Sequence, residues 1–135
     1  KPKALEQRGG AYYSEAAINL IKSIHLNTRE IHTLNVRNNG AISCLPDDVS
    51  VETNCVVEKH QITPIQIGAV PPQIRGLLQV VKAYEELTVE AAVTGNKTIA
   101  LQALTLHPLI PSANRSKEIL QEMLTANKHY LPQFS

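Results

Sequence analysis

From Ser14 the apolar residues Ala16, Ala17, Leu20, Ile21 and Ile24 recur at intervals of three and four, which predicts an amphipathic helix of about three turns. Asn27 and Thr28 break that period. The β-branched run Glu30-Ile31-His32-Thr33-Leu34-Asn35-Val36 then predicts a strand ending at the polar turn Arg37-Asn38-Asn39-Gly40. After Leu45-Pro46-Asp47-Asp48, the residues Val49, Val51, Thr53, Cys55 and Val57 alternate with Ser50, Glu52 and Asn54, the period of a half-buried strand. Ile62, Ile65 and Ile67 extend the pattern, with Pro64 confining that segment to an edge or a bulge. Positions 30–67 are therefore expected to form a small antiparallel sheet.

Pro71-Pro72 suits the entry of a helix, where the first N–H groups lack partners anyway. The stripe Ile74, Leu77, Leu78, Val81, Tyr84, Thr88, Ala91 and Ala92 carries that helix to a stop at Gly95. At about 1.5 Å per residue it reaches roughly 34 Å. Asn96 can cap a shorter helix through Ile99, Leu101 and Leu104, and Ser112 a last one through Ile119, Leu120, Met123 and Leu124. With no internal repeat, this order predicts one α+β domain spanning 1–135, a small antiparallel sheet packed with several helices.

The chain has 135 residues, of which 43% are hydrophobic, enough for a single core. Lysine plus arginine number 13 against 12 aspartates and glutamates, so the basic field that nucleic acid would require is missing and no nucleic-acid partner is expected. No run approaches a membrane span or has the order of a signal peptide, and Cys44 and Cys55 lack metal-site spacing. A soluble cytoplasmic protein with reduced thiols is expected. The chain begins with Lys1, and Lys1-Pro2-Lys3-Ala4-Leu5-Glu6-Gln7 opens no domain cleanly, as expected of a piece of a longer chain.

Candidate chemistry is sparse. Gly-rich dinucleotide and phosphate loops and the Gly-x-Ser-x-Gly elbow are absent, and the five histidines have no ligand spacing. Two features stand out. Arg8-Gly9-Gly10-Ala11 leads into Tyr12-Tyr13 at the head of the first helix, in a chain with four tyrosines, one phenylalanine and no tryptophan. Two readings fit: a turn followed by a core edge, or phenols at the wall of a cleft. Arg37-Asn38-Asn39-Gly40 likewise fits an Asn-Gly hairpin turn or a fork of donors for a phosphate or carboxylate. Asp47-Asp48 has a weaker claim, as a solvated turn.

Several segments resemble, in order, the C-terminal part of glycoside hydrolase family 4. They are the stretch from Lys1 to Ser14, Asn35-Val36-Arg37-Asn38-Asn39-Gly40, Leu45-Pro46-Asp47-Asp48, Glu90-Ala91-Ala92-Val93-Thr94-Gly95, Leu106-His107-Pro108-Leu109-Ile110-Pro111-Ser112 and the final Tyr130-Leu131-Pro132-Gln133-Phe134. The resemblance is strongest to the family's 6-phospho-β-glucosidases. It implies a C-terminal, substrate-side domain like that of lactate and malate dehydrogenases. The N-terminal Rossmann domain, with its dinucleotide loop and its cysteine and histidine metal ligands, is expected upstream, so this piece alone is expected to be inactive and to bind neither NAD nor metal. In the family, NAD⁺ oxidises the sugar's C3 hydroxyl, and a divalent metal such as manganese polarises the ketone. A base removes the C2 proton, the glycosidic bond breaks by elimination, and water addition and hydride return complete the cycle without a flanking carboxylate pair.

The resemblance assigns the base to Tyr13, with Tyr12 at a more variable position. It assigns Arg37, Asn38 and Asn39 to the phosphorylated sugar. A phenol with a pKa near 10 needs nearby positive charge to act as a base at neutral pH. A phosphorylated disaccharide is the implied substrate, and a homo-oligomer the implied assembly. Two alternatives remain: a non-catalytic oligomerisation or interaction module built on the helix from Pro72 to Thr94, or a family 4 glycosidase for another sugar.

Overall fold

The alternation from Val49 to Val57 becomes the central strand of a three-stranded antiparallel sheet, order β1-β2-β3, comprising β1 (Ile31–Arg37), β2 (Ser50–Val57) and β3 (Ile62–Pro64). In this computed structural model residues 12–134 are described, and the chain divides into two compact units, Lys1–Ala69 and Val70–Ser135. Each unit is described below by itself.

In the first unit, β1 and β2 pair over their whole shared length, from Ile31 opposite Val56 to Arg37 opposite Ser50. Val51, Thr53, Cys55 and Val57 are buried while Ser50, Glu52 and Asn54 are exposed, as a period of two requires. β3 is shorter than its isoleucines suggest. It pairs only from Cys55 opposite Pro64 to Val57 opposite Ile62, because proline cannot donate to the ladder beyond that point. Ala41, Ile42, Leu45 and Val49, from the connection between β1 and β2, complete the core together with Val51, Cys55 and Val57.

Helix α1 (Tyr13–Leu26) forms where the three-and-four spacing places it. Its apolar stripe behaves differently from expectation. Ala16, Ala17 and Ile21 are exposed, Leu20 is half-buried, and Ser23 is the one buried side chain of the helix. Amphipathicity specifies a face, and no described residue of this unit covers most of it.

The second unit is helical: α2 (Pro72–Thr94), α3 (Lys97–Leu106) and α4 (Ala113–Ala126), followed by 3₁₀ turns at Lys128–Tyr130 and Pro132–Phe134. The start and stop signals operate as the side-chain chemistry dictates. Asn96 Oδ1 accepts from the N–H groups of Thr98 and Ile99, and Ser112 Oγ accepts from that of Arg115. Gly95 closes α2 in the left-handed region. Ala91 and Ala103 are buried, and Tyr84 meets the His107 ring at 4.5 Å between centroids. The described residues thus form an α+β fold with one small antiparallel sheet and four α-helices. Among them, no helix is long and apolar enough to cross a membrane.

Candidate functional site

Tyr13 is the first residue of α1 and Tyr12 its N-cap, and both side chains are largely exposed, at 77% and 74%. Tyr12 makes no side-chain capping bond, so neither phenol is committed to closing the helix. The Gly9-Gly10 turn expected to deliver them, with Arg8, lies outside the described residues.

The second candidate cluster closes β1. Arg37 is its last residue, and its Nε donates to the Asp47 carbonyl at 3.3 Å. The same carbonyl accepts the Asn39 N–H at 3.0 Å, so one oxygen ties both ends of the turn to the Asp47 segment. Asn39 sits at φ 43°, in the left-handed region that asparagine tolerates better than most residues. Arg37 and Asn39 are exposed.

Asn38, between them, is fully buried. Its amide nitrogen donates to the carbonyls of Ile42, Leu45 and Pro46 at 2.9–3.0 Å, and its amide oxygen accepts the Ile42 N–H at 2.7 Å. Its own N–H donates to Val49. The expectation that Asn38 contacts a sugar is therefore corrected. Its donors are spent inside the loop, and it bears on a ligand only through the turn that it holds.

Asp47 and Asp48 are exposed, as a solvated turn would be. Cys55 is buried beneath the sheet, Cys44 is half-buried, and the two are not joined in a disulfide. Burial raises the Cys55 thiol above its ordinary pKa. Among the described residues no group of three histidine, cysteine or acidic side chains could hold a metal ion, so none of them is assigned to a metal.

Among the described residues, no hydrogen bond links Tyr13 to Arg37, Asn38 or Asn39. Sequence reasoning missed a different group that joins the helix of one to the strand of the other. Ser23 Oγ donates to Glu30 Oε2 at 3.0 Å, lies 2.7 Å from His32 Nε2, and accepts the Thr28 hydroxyl at 3.1 Å. The one signal for it was a serine three residues after Leu20, on the inner side of an amphipathic helix.

The profile of the family 4 glycosyl hydrolase C-terminal domain matches residues 1–110, and the chain belongs to that family. It is 53% identical over 134 residues to a Bacillus subtilis (strain 168) protein named "Probable 6-phospho-beta-glucosidase", covering 99% of this chain and 30% of that protein.

Two groups of solved structures share the fold. The 6-phospho-beta glucosidase of Thermotoga maritima, solved with manganese, NAD⁺ and glucose-6-phosphate, superposes with a TM-score of 0.82 at 38% identity over 90% of this chain and 30% of that one. A 6-phospho-alpha-glucosidase from gut microorganisms, in complex with NAD and glucose-6-phosphate, gives 0.84 at 34% identity over 90% of this chain and 28% of that one. The chain spans about three tenths of the length of the relatives it matches.

Proposed function

We infer that this chain is the substrate-side domain of a 6-phospho-β-glucosidase, in which Tyr13 is the base that removes the proton from C2 of the sugar. The observation that carries this reading is the exposed phenol of Tyr13 at the head of α1, inside the stretch matched by the family profile. A base must present its oxygen to the substrate, and this side chain faces solvent with no described partner on its hydroxyl.

When bound, NAD supplies reversible oxidation at the sugar's C3, which is what makes the neighbouring C2 proton removable. NAD and a divalent metal, in the proposal manganese, are held outside the described residues. The contributions assigned to this chain are local ones. Tyr13 takes the C2 proton and returns it after the leaving group has gone. The Arg37 guanidinium, on the exposed rim of its turn, meets the sugar phosphate, to which its planar fork is matched. Asn39 offers an amide beside it, and Asn38 holds both in place.

The β linkage rests on sequence, because the fold does not separate the two classes. The α- and β-glucosidase structures superpose about equally well, with TM-scores of 0.84 and 0.82. In sequence, identity to the Bacillus subtilis β-glucosidase-like protein is 53%, against 36% for the Fusobacterium mortiferum maltose-6′-phosphate glucosidase. Phosphorylated sugars do not cross membranes unaided, so the cytoplasm is the compartment this substrate demands. Ile74, Leu77, Val89 and Val93 on α2 are more than half exposed, and this apolar surface favours a homo-oligomer.

The test uses the full-length protein with NAD⁺ and Mn²⁺. It should hydrolyse an aryl 6-phospho-β-glucoside in preference to its α anomer and to the unphosphorylated glucoside. Tyr13→Phe should lower kcat at least 100-fold with substrate affinity within a few-fold of wild type. Near-normal turnover by that variant removes Tyr13 from the mechanism, and equal rates on free and phosphorylated glucosides remove the phosphate contact.

A further inference from the structure

We propose that Ser23, with His32, Glu30 and Thr28, is a polar pivot that sets the angle of α1 on the sheet and so positions Tyr13, a role that rests on the reading of Tyr13 as the base. Helix α1 buries one side chain, Ser23, which is wholly inaccessible, while its apolar stripe is largely open. Among the described residues, the attachment of the helix is therefore concentrated towards its C-terminal end, where half-buried Leu20 adds some packing to the hydrogen bonds of Ser23.

The hydroxyl at that point has one proton and two lone pairs to place. Ser23 gives its single proton to the Glu30 carboxylate and receives one from the Thr28 hydroxyl. The remaining lone pair of Ser23 Oγ, 2.7 Å from His32 Nε2, accepts a proton only if that nitrogen carries one. Glu30 Oε2 also lies 3.8 Å from the same nitrogen. Ser23, the buried member, fills its one donor and two acceptor positions when it meets all three partners, which makes the joint directional in a way that an apolar contact is not.

Further bonds gather at the same end of the helix. The Asn27 and Thr28 N–H groups donate to the Ser23 carbonyl, and Asn27 Oδ1 accepts the Lys59 N–H at 2.9 Å. Arg29 pairs with Glu58 at 2.8 Å. Asn27 and Arg29 both have left-handed backbones, at φ 56° and 61°, so the chain turns sharply from helix to strand. Tyr13 is ten residues from Ser23, an arm of about 15 Å at 1.5 Å per residue. A tilt of about 10° at the joint would carry the phenol roughly 2.5 Å, and a misplacement of about 1 Å is enough to cost 100-fold in rate. His32 belongs to the strand that ends in Arg37 and Glu30 immediately precedes that strand, so the pivot also references the base to the turn assigned to the phosphate.

The experiment compares full-length Ser23→Ala, His32→Leu and His32→Gln with wild type and with Tyr13→Phe. Glutamine places an N–H donor near the position of Nε2 and serves as the conservative variant. Ser23→Ala and His32→Leu should lower kcat 10- to 100-fold with KM within two-fold, and His32→Gln should recover most of the loss. If kcat is unchanged in Ser23→Ala while Tyr13→Phe is inactive, the pivot is refuted and the base assignment stands.

A second measurement does not depend on the base. Spin labels carried by unnatural amino acids at the exposed positions 15 and 52 report the angle between α1 and β2. The wild-type and His32→Gln distance distributions should be narrow and alike, and those of Ser23→Ala and His32→Leu broadened or shifted. Identical distributions in all four proteins overturn the proposal, whatever Tyr13→Phe does.

Discussion

The backbone carbonyl of Gln133 lies against the Cα of Gly95, so close that a Cβ built there would overlap its oxygen. Gln133 also reaches back along α2, its side-chain amide donating to the Ala92 carbonyl at 3.1 Å. The C-terminal turn is thus seated on the stop of the long helix, and Gly95, at φ 70°, provides both the left-handed turn and the space.

Gly95→Ala should therefore cost more than the left-handed backbone alone, which is about 1–2 kcal/mol. The added methyl displaces the Pro132–Phe134 turn as well. Thermal unfolding should show the loss. Amide exchange at Phe134, whose N–H donates to Leu131, should accelerate, and an unaltered rate there would mean that the tail is not held at this point.

Removing the Asn38 amide strands a buried N–H and several carbonyls in the loop between β1 and β2. Asn38→Ala should destabilise the protein by about 2–4 kcal/mol, more than one ordinary hydrogen bond. Asn38→Asp should not rescue it, because the second carboxylate oxygen would face the three carbonyls that now accept from Nδ2. Urea unfolding of both variants checks this, and a stable aspartate variant would argue against the cradle.

Two caps carry their own expectations. Asn96→Ala and Ser112→Ala should each cost about 1 kcal/mol, since the first orphans the Thr98 and Ile99 N–H groups and the second that of Arg115. Replacement of Asn96 by Asp or Ser should restore most of the loss. Denaturant midpoints measure both.

Cys55 should resist alkylation in the native protein while the half-buried Cys44 reacts, because burial both blocks its thiol and raises its pKa. The sign of the pH effect follows. Below about pH 8.5 folded and unfolded chains both keep this proton. Above it the unfolded chain releases its proton first, so the contribution of Cys55 to stability falls as the pH climbs towards the raised folded value. Cys55→Ser, with no thiol to titrate, should flatten that alkaline decline in unfolding experiments, and mass spectrometry after brief alkylation should find the label on Cys44.

The elements themselves were legible along the chain because their causes are local. The alternation from Val49 to Val57, the proline entry at Pro72, the Gly95 stop and the caps at Asn96 and Ser112 each act within a few residues, and the helices and strands form where those signals stand. Pro64 likewise marked its segment for an edge, where β3 stands in the sheet, though the strand stops at that proline instead of running on to Ile67. Resemblance in motif order was sufficient for the family, because it uses the same residue-by-residue information. Other facts depended on which atoms the folded loop and the turn from helix to strand bring together. Nothing in Asn-Asn-Gly separates the asparagine that is buried among carbonyls from the one left exposed. Ser23 reads as one more polar residue on a helix until Glu30, His32 and Thr28 converge on its hydroxyl. The apolar stripe of α1 foretold a buried face, yet burial depends on what is opposite, and a periodic pattern carries no information about its partner.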